Sequence, residues 1–206
     1  MNSFTLRPWV ASAALLIFTV MAPATTVIAP DFDSLVGSSD YIVRAVVKSV
    51  TSEWRPDPTR PGRRYIGTLV ALEVRETIKG TPPQPLVLDL VGGSLDGKEM
   101  VIVDAPRFVV GHESILFVHG NGRDIIPLVG MNHGFYPVRR DSKSGRAQVL
   151  RSNGQPLYHE MEVALPESAI GSAPTANPAA LPLDPSEFAG RIRRSVKNFS
   201  DRERLE

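Results

Sequence analysis

Four histidines, His112, His119, His133 and His159, are the side chains of this chain best suited to metal binding or general base work. Neither His112-Glu113 nor His159-Glu160 is followed by a second histidine at the spacing that puts two imidazoles on one helix face, so the zinc-protease pattern fails. His112 and His119 flank one short apolar run at an odd separation, which points them to opposite faces of a strand. His133 stands in the turn-like stretch Met131-Asn132-His133-Gly134 and is retained as a loop contact. Gly92-Gly93-Ser94 lacks the strand-to-helix context of a nucleophile elbow and reads as a turn. There is no Gly-Lys-Ser/Thr phosphate loop and no dinucleotide fingerprint. Asp89, Asp96, Glu99 and Asp104 could in principle supply paired carboxylates, but strand and turn positions account for them. The chain has no cysteine, which removes a thiol nucleophile, thiolate metal sites and disulfides. No catalytic, cofactor-binding or metal-ligating residue is assigned, and no cofactor is expected.

Binding is the better-supported chemistry. Trp54 with Arg55, Arg60, Arg63 and Arg64 joins an aromatic ring to a basic loop stiffened by Pro56, Pro58 and Pro61. Trp54, Arg55, Arg63, Arg64 and His133 form the candidate contact set. The plainer reading is that Trp54 packs under the loop while the arginines are solvated. The chain carries 23 basic and 22 acidic residues, so no global charge marks it for nucleic acid, and that partner is not expected.

These residues sit in a chain whose start predicts export. Arg7 precedes the apolar stretch Trp9–Met21, and Ala22-Pro23-Ala24 fits the small-x-small rule of signal peptidase. Residues 1–24 are read as a signal peptide, with a mature chain from near Thr25. The alternative is a retained anchor, if Thr25–Ala29 extend the apolar run to bilayer length. The expected location is periplasmic or secreted, in a bacterial setting where exported proteins without disulfides are common.

The mature chain divides into a domain over 31–161, a flexible Ala/Pro-rich linker over 164–183 and an amphipathic helix over 184–199. Asp31–Val36 is a short lead-in. Tyr41–Val50 alternates, with Tyr41, Val43, Ala45, Val47 and Ser49 on one face and Ile42, Arg44, Val46, Lys48 and Val50 on the other. Glu53–Arg64 reads as a loop. Tyr65–Ile78 resumes as a strand, with Ile66, Val70, Leu72, Val74 and Ile78 sharing a face. Leu86–Val91 is a third strand. Asp96-Gly97 predicts a hairpin turn before a strand at Met100–Val103. Ser114–His119 is apolar enough to be buried on both faces. Asn121-Gly122 predicts a second hairpin into Ile125–Val129, where Pro127 demands an edge or bulge. Gly134–Val138 and Ala147–Leu150 form a last pair. Short strands with glycine and proline turns argue for an all-β barrel or sandwich, and closing a small barrel removes its edges.

In the tail, Asp184-Pro185-Ser186-Glu187 supplies an N-cap, a proline at the first helical position and the glutamate of a capping box. Phe188, Ile192, Val196 and Phe199 make one apolar stripe between Arg191, Arg193, Arg194 and Lys197. Such a helix packs back on the domain, frays, or contacts a partner or an anionic membrane. Membrane contact is expected only through this helix or an uncleaved signal.

The run from Ser39 to Val138 resembles exported bacterial proteins similar to the netrin-module and tissue-inhibitor-of-metalloproteinase group. The resembling pieces are Ser39-Asp40-Tyr41-Ile42-Val43-Arg44-Ala45-Val46-Val47, Leu72-Glu73-Val74 with Ile78-Lys79-Gly80, Gly111-His112-Glu113-Ser114-Ile115-Leu116-Phe117 and Gly134-Phe135-Tyr136-Pro137-Val138. Leu183–Arg193 resembles the group's closing helix. The resemblance implies a five-stranded OB-type barrel, and with the strand and tail readings above the expected fold is mainly β: a small OB-like Greek-key barrel with extra hairpins, followed by a flexible linker and a short C-terminal helix. Inhibitors of the group chelate zinc through an N-terminal cysteine, which this chain lacks, so no inhibitory residue carries over. The function expected is a non-catalytic exported binding module that binds or modulates a protease or other envelope protein. The alternative is an exported hydrolase-like enzyme with a dispersed, motif-free site, which a pocket joining His133 to Asp or Glu would favour.

Overall fold

Alternating β-branched residues give the chain its longest strands, β1 (Tyr41–Pro56) and β2 (Arg64–Lys79), paired as one antiparallel hairpin. The computed structural model describes residues 29–165 and 180–204. The predicted signal peptide and most of the predicted linker lie outside the described residues. The fold is mainly β. A helix α1 (Phe32–Ser38) is followed by β1, β2, β3 (Leu86–Val91), β4 (Gly93–Leu95), β5 (Lys98–Met100), β6 (Glu113–Val118), β7 (Phe135–Arg140) and β8 (Ala147–Val149). A helix α2 (Pro185–Glu203) ends the described chain, and short 3-10 turns occupy Met131–Gly134 and Glu160–Ala164. Six strands form one antiparallel sheet in the order β3-β2-β1-β6-β7-β8, while β4 and β5 form a separate hairpin. Among the described residues no helix is long and apolar enough to cross a membrane.

The ladder is open. Its edges β3 and β8 are covered by irregular chain instead of pairing with each other. The Asn121 side chain works like a short strand: its Oδ1 accepts from the Asp89 N–H at 3.0 Å and its Nδ2 donates to the Val87 carbonyl at 2.8 Å. The Val91 N–H donates to the Ile125 carbonyl at 2.8 Å. At the other edge the Val149 N–H donates to Leu183 O at 2.8 Å and the Leu157 N–H to Val149 O at 2.9 Å. Leu183, expected in the linker, is therefore buried and tied to β8, and Val163 is buried with it.

Three register shifts in β1–β2 redirect side chains that strict alternation would place elsewhere. Lys48 is the extra residue on β1, so Val47 faces Leu72 and Val50 faces Val70. Val50 therefore joins the face of Tyr41, not that of Ile42. On β2 the shifts fall at Arg75 and Ile78, and Ile78 leaves the face of Val70 for the opposite core. The predicted Glu53–Arg64 loop is shorter than expected: strand pairing continues through Trp54↔Ile66 to Pro56↔Arg64. Ile125–Val129 is no strand. It leaves a single bridge, Val118↔Leu128, in a stretch where Pro127 offers no N–H. The Asp96-Gly97 turn forms as expected between Leu95 and Lys98, with φ of 53° and 71°. Its strand is displaced to Lys98–Met100, since Met100–Val103 leaves the ladder after one residue.

Two apolar layers result. One packs Tyr41, Val43, Val47, Val70, Leu88 and Leu116 beneath the loop around Ile126 and Leu128. The other packs Ile42, Ile115, Phe117 and Tyr136 against both helices. α2 starts as its sequence demands, with Asp184 accepting from the Glu187 N–H at 2.8 Å and Pro185 in the first turn. The Glu187 carboxylate does not return to the cap; it pairs with Arg191 at 3.1 Å. Phe188 and Ile192 are fully buried, and Val196 and Phe199 pack at the margin of the same core. Phe188 is the hub of an aromatic group, 5.2 Å from Tyr136, 6.1 Å from Phe117 and 6.0 Å from Phe32 between ring centroids.

Candidate functional site

β6 pairs with β1 only from Tyr41 to Val46, and β3 pairs with β2 only from Gly67 to Leu72. Past those ladders the hairpin continues as an arm in which 54–56 pair with 64–66, and the Gly92 N–H donates to the Ile66 carbonyl at 2.8 Å where the β4–β5 hairpin meets it. Trp54 and Arg64 lie on one face of the arm. The Arg64 guanidinium stands 5.5 Å from the indole centroid and the Lys98 ammonium also 5.5 Å. The indole N–H donates to Asp96 Oδ2 at 3.0 Å, in the β4–β5 turn. The indole is thus a cation-flanked, half-buried surface that the Asp96-Gly97 turn holds in orientation. Asp96 and Lys98 were outside the predicted contact set; their link to Trp54 is set by the β4–β5 turn lying beside the arm.

Arg55 belongs to the opposite face and to a different task. Its side chain lies across Gly67, where an added Cβ would come within 2.8 Å of Arg55 Cδ, and reaches the Asp89 carboxylate on β3. Glu53 Oε1 accepts from its Nε at 2.9 Å. Burial works against the Arg55 charge, but Asp89, Glu53 and the Tyr65 hydroxyl outweigh it and push the guanidinium above its ordinary range. Arg55 is therefore a structural tie between β1 and β3. With Tyr65, Asp89, Met100 and Ile125 it borders a cleft of about 490 Å³. Arg63 sits in the exposed turn at the arm's tip, where its carbonyl accepts from the Asp57 N–H at 2.9 Å.

His133 is not brought to the arm. It lies in the 3-10 turn before β7, beside the Tyr41 end of β1, because Tyr41 pairs with Val118 and Leu116 with Phe135. Trp54 is near the other end of β1. Of the five residues predicted together, the fold unites Trp54 and Arg64, leaves Arg63 at the same tip, and separates Arg55 and His133.

Carboxylates lie near His159, whose Nδ1 is 3.6 Å from Glu160 Oε2, and near His119. The His119 Nδ1 is 3.5 Å from Asp40 Oδ1 and its Nε2 3.8 Å from Asp124 Oδ2, all on exposed turns. Asp40 is also engaged by the Gly120 N–H at 2.8 Å. Among the described residues no group of three or more His, Asp or Glu side chains is placed to hold a metal ion. Asp89, Asp96, Glu99 and Asp104 do not act as a set: Asp89 pairs with Arg55 and Asp96 with Trp54.

A scan against protein-family models finds no match, and no curated protein matches the chain.

Proposed function

We propose that this chain is an exported, non-catalytic binding module of OB-like Greek-key type. Its partner is a protease or another envelope protein. The observation that carries the reading is the arm: the end of the β1–β2 hairpin, past its pairing with β3 and β6, which presents Trp54 beside Arg64 and Lys98. Tryptophan and arginine are the side chains most able to anchor a protein interface, since each offers a large flat surface with a polar edge. The OB-like form is supported by β1 lying between β2 and β6, and by residues 121–125 lying along the outer edge of β3. Export is supported by the Arg7, Trp9–Met21 and Ala22-Pro23-Ala24 pattern. The resemblance of Ser39–Val138 to the netrin-module group agrees with a binding role.

The test is capture from the envelope fraction of the source cells, with identification of the partner and measurement of its affinity. Trp54→Ala and Arg64→Glu should each weaken that one partner at least about tenfold, the loss typical of an interface anchor, while the melting temperature holds. A partner retained equally by both variants would show that the arm is not the contact surface. Turnover in a broad hydrolase screen, abolished by His133→Ala, would replace the binding reading with the enzymatic one.

A further inference from the structure

The geometry points to a second site, distinct from the arm: a cleft that takes a small oxyanion, a phosphate monoester or carboxylate, carried on a one-ring apolar body. The cleft holds about 310 Å³ between β1, β6 and β7 on one side and the loops around 107 and 153 on the other. That volume is at the low end for small-molecule sites, which sets the size of the occupant.

Its lining divides into a floor and a rim. The floor is Val47, Phe108 and Phe135, with the two rings edge-on at 5.3 Å between centroids. The rim is polar and of one sign. Arg107, Arg139 and His112 line it with Ser114 and Asn132, and no Asp or Glu does. Glu113, beside His112, is turned away to Arg44 at 2.6 Å.

Both arginines of this cleft are without an acidic partner, which many arginines of the chain have. Arg44 is held by Glu113, Arg55 by Asp89, Arg191 by Glu160 and Arg193 by Glu76. Among the described residues the side chains of Arg107 and Arg139 make neither an ion pair nor a hydrogen bond, although they line the same cleft. Two uncompensated guanidiniums over an apolar floor raise the local potential and present forked donors that match a carboxylate or phosphate. The edge-on rings beneath suit an aromatic or short aliphatic body.

The experiment is an amide-resolved NMR titration of the purified protein at constant ionic strength. The probes are phenyl phosphate, inorganic phosphate and phenol. Phenyl phosphate should give saturable shifts clustered at Arg107, His112, Ser114 and Asn132. It should bind more tightly than inorganic phosphate, and phenol should leave those amides unmoved. Arg107→Gln and Arg139→Gln are at exposed positions and should keep the melting temperature, yet each should weaken phenyl phosphate about tenfold. Trp54→Ala should leave the affinity unchanged, which separates this site from the arm. Shifts that scatter over the surface without saturating, or an affinity unaltered in both arginine variants, would overturn the site. Phenol binding as tightly as phenyl phosphate would overturn oxyanion recognition, and inorganic phosphate doing so would overturn the role of the aromatic floor.

Discussion

Lys79 shows how much one side chain can organise. Its ammonium donates to the carbonyls of Val36 at 2.7 Å, Gly37 at 3.1 Å and Ser39 at 2.7 Å, and so satisfies the C-terminal end of α1. A seven-residue helix has little stability of its own. Lys79→Met should therefore cost about 1–2 kcal/mol in chemical denaturation, the value of charge-assisted hydrogen bonds discounted for a half-buried site. Asp184 makes the corresponding contribution at the start of α2. The Glu187 N–H holds its carboxyl below the ordinary 3.8; burial opposes this and the Arg146 guanidinium reinforces it. Asp184→Ala should cost about 1 kcal/mol near neutral pH, as N-cap removal does. The folded-state value is depressed, so the stabilisation is complete above 3.8 and is lost as pH falls through the folded value. The stability gap between wild type and Asp184→Ala should therefore close below about pH 4 in acid titrations followed by circular dichroism.

Among the elements, α2 has its environment decided by the sheet. Its apolar stripe enters the core of its own chain, and Arg193 fixes the register by reaching Glu76 on β2 at 2.5 Å. Ser195 Oγ donates to Asp33 Oδ1 at 2.6 Å, tying the two helices together. Phe188 touches rings from α1, β6 and β7, so its truncation leaves a cavity that no single neighbour can fill. Phe188→Ala should lower stability by about 3–5 kcal/mol. A variant that melts like wild type would show that α2 does not depend on this core. The arm behaves differently as an element: among the described residues no helix packs on it, and its two faces are held by the link from Trp54 to Asp96 of the β4–β5 turn and by the Arg55–Asp89 tie.

For the whole molecule, the absence of cysteine leaves packing and hydrogen bonding to hold the domain together. Two apolar layers on either side of one sheet, with both edges covered, are how this chain meets that demand. Export itself rests on the first residues. Mass spectrometry of the protein recovered from its native envelope should find an N-terminus close to Thr25. An intact Met1 on soluble cytoplasmic protein would overturn export.

What the sequence determined by itself was the local structure. Period-two alternation marked β1 and β2, Asp96-Gly97 marked its turn, and Asp184-Pro185 with the Phe188 stripe marked α2. Those features depend on sterics and hydrogen bonds within a few residues, which composition and spacing carry directly. The sequence grouped Trp54 and Arg64 in one expected loop, whereas strand pairing through Pro56↔Arg64 is what sets them side by side. Only the tertiary structure decided the rest. The shifts at Lys48, Arg75 and Ile78 changed which face several side chains occupy, and they exist only because two long strands must curve over a shared core. Asn121 found β3, Arg55 found Asp89, and Arg107 met Arg139 across one cleft through chain separations that no local pattern records. The open edge of β3 was settled the same way. The Asn121 side-chain amide and the Ile125 carbonyl cover it, from a stretch more than thirty residues further along the chain.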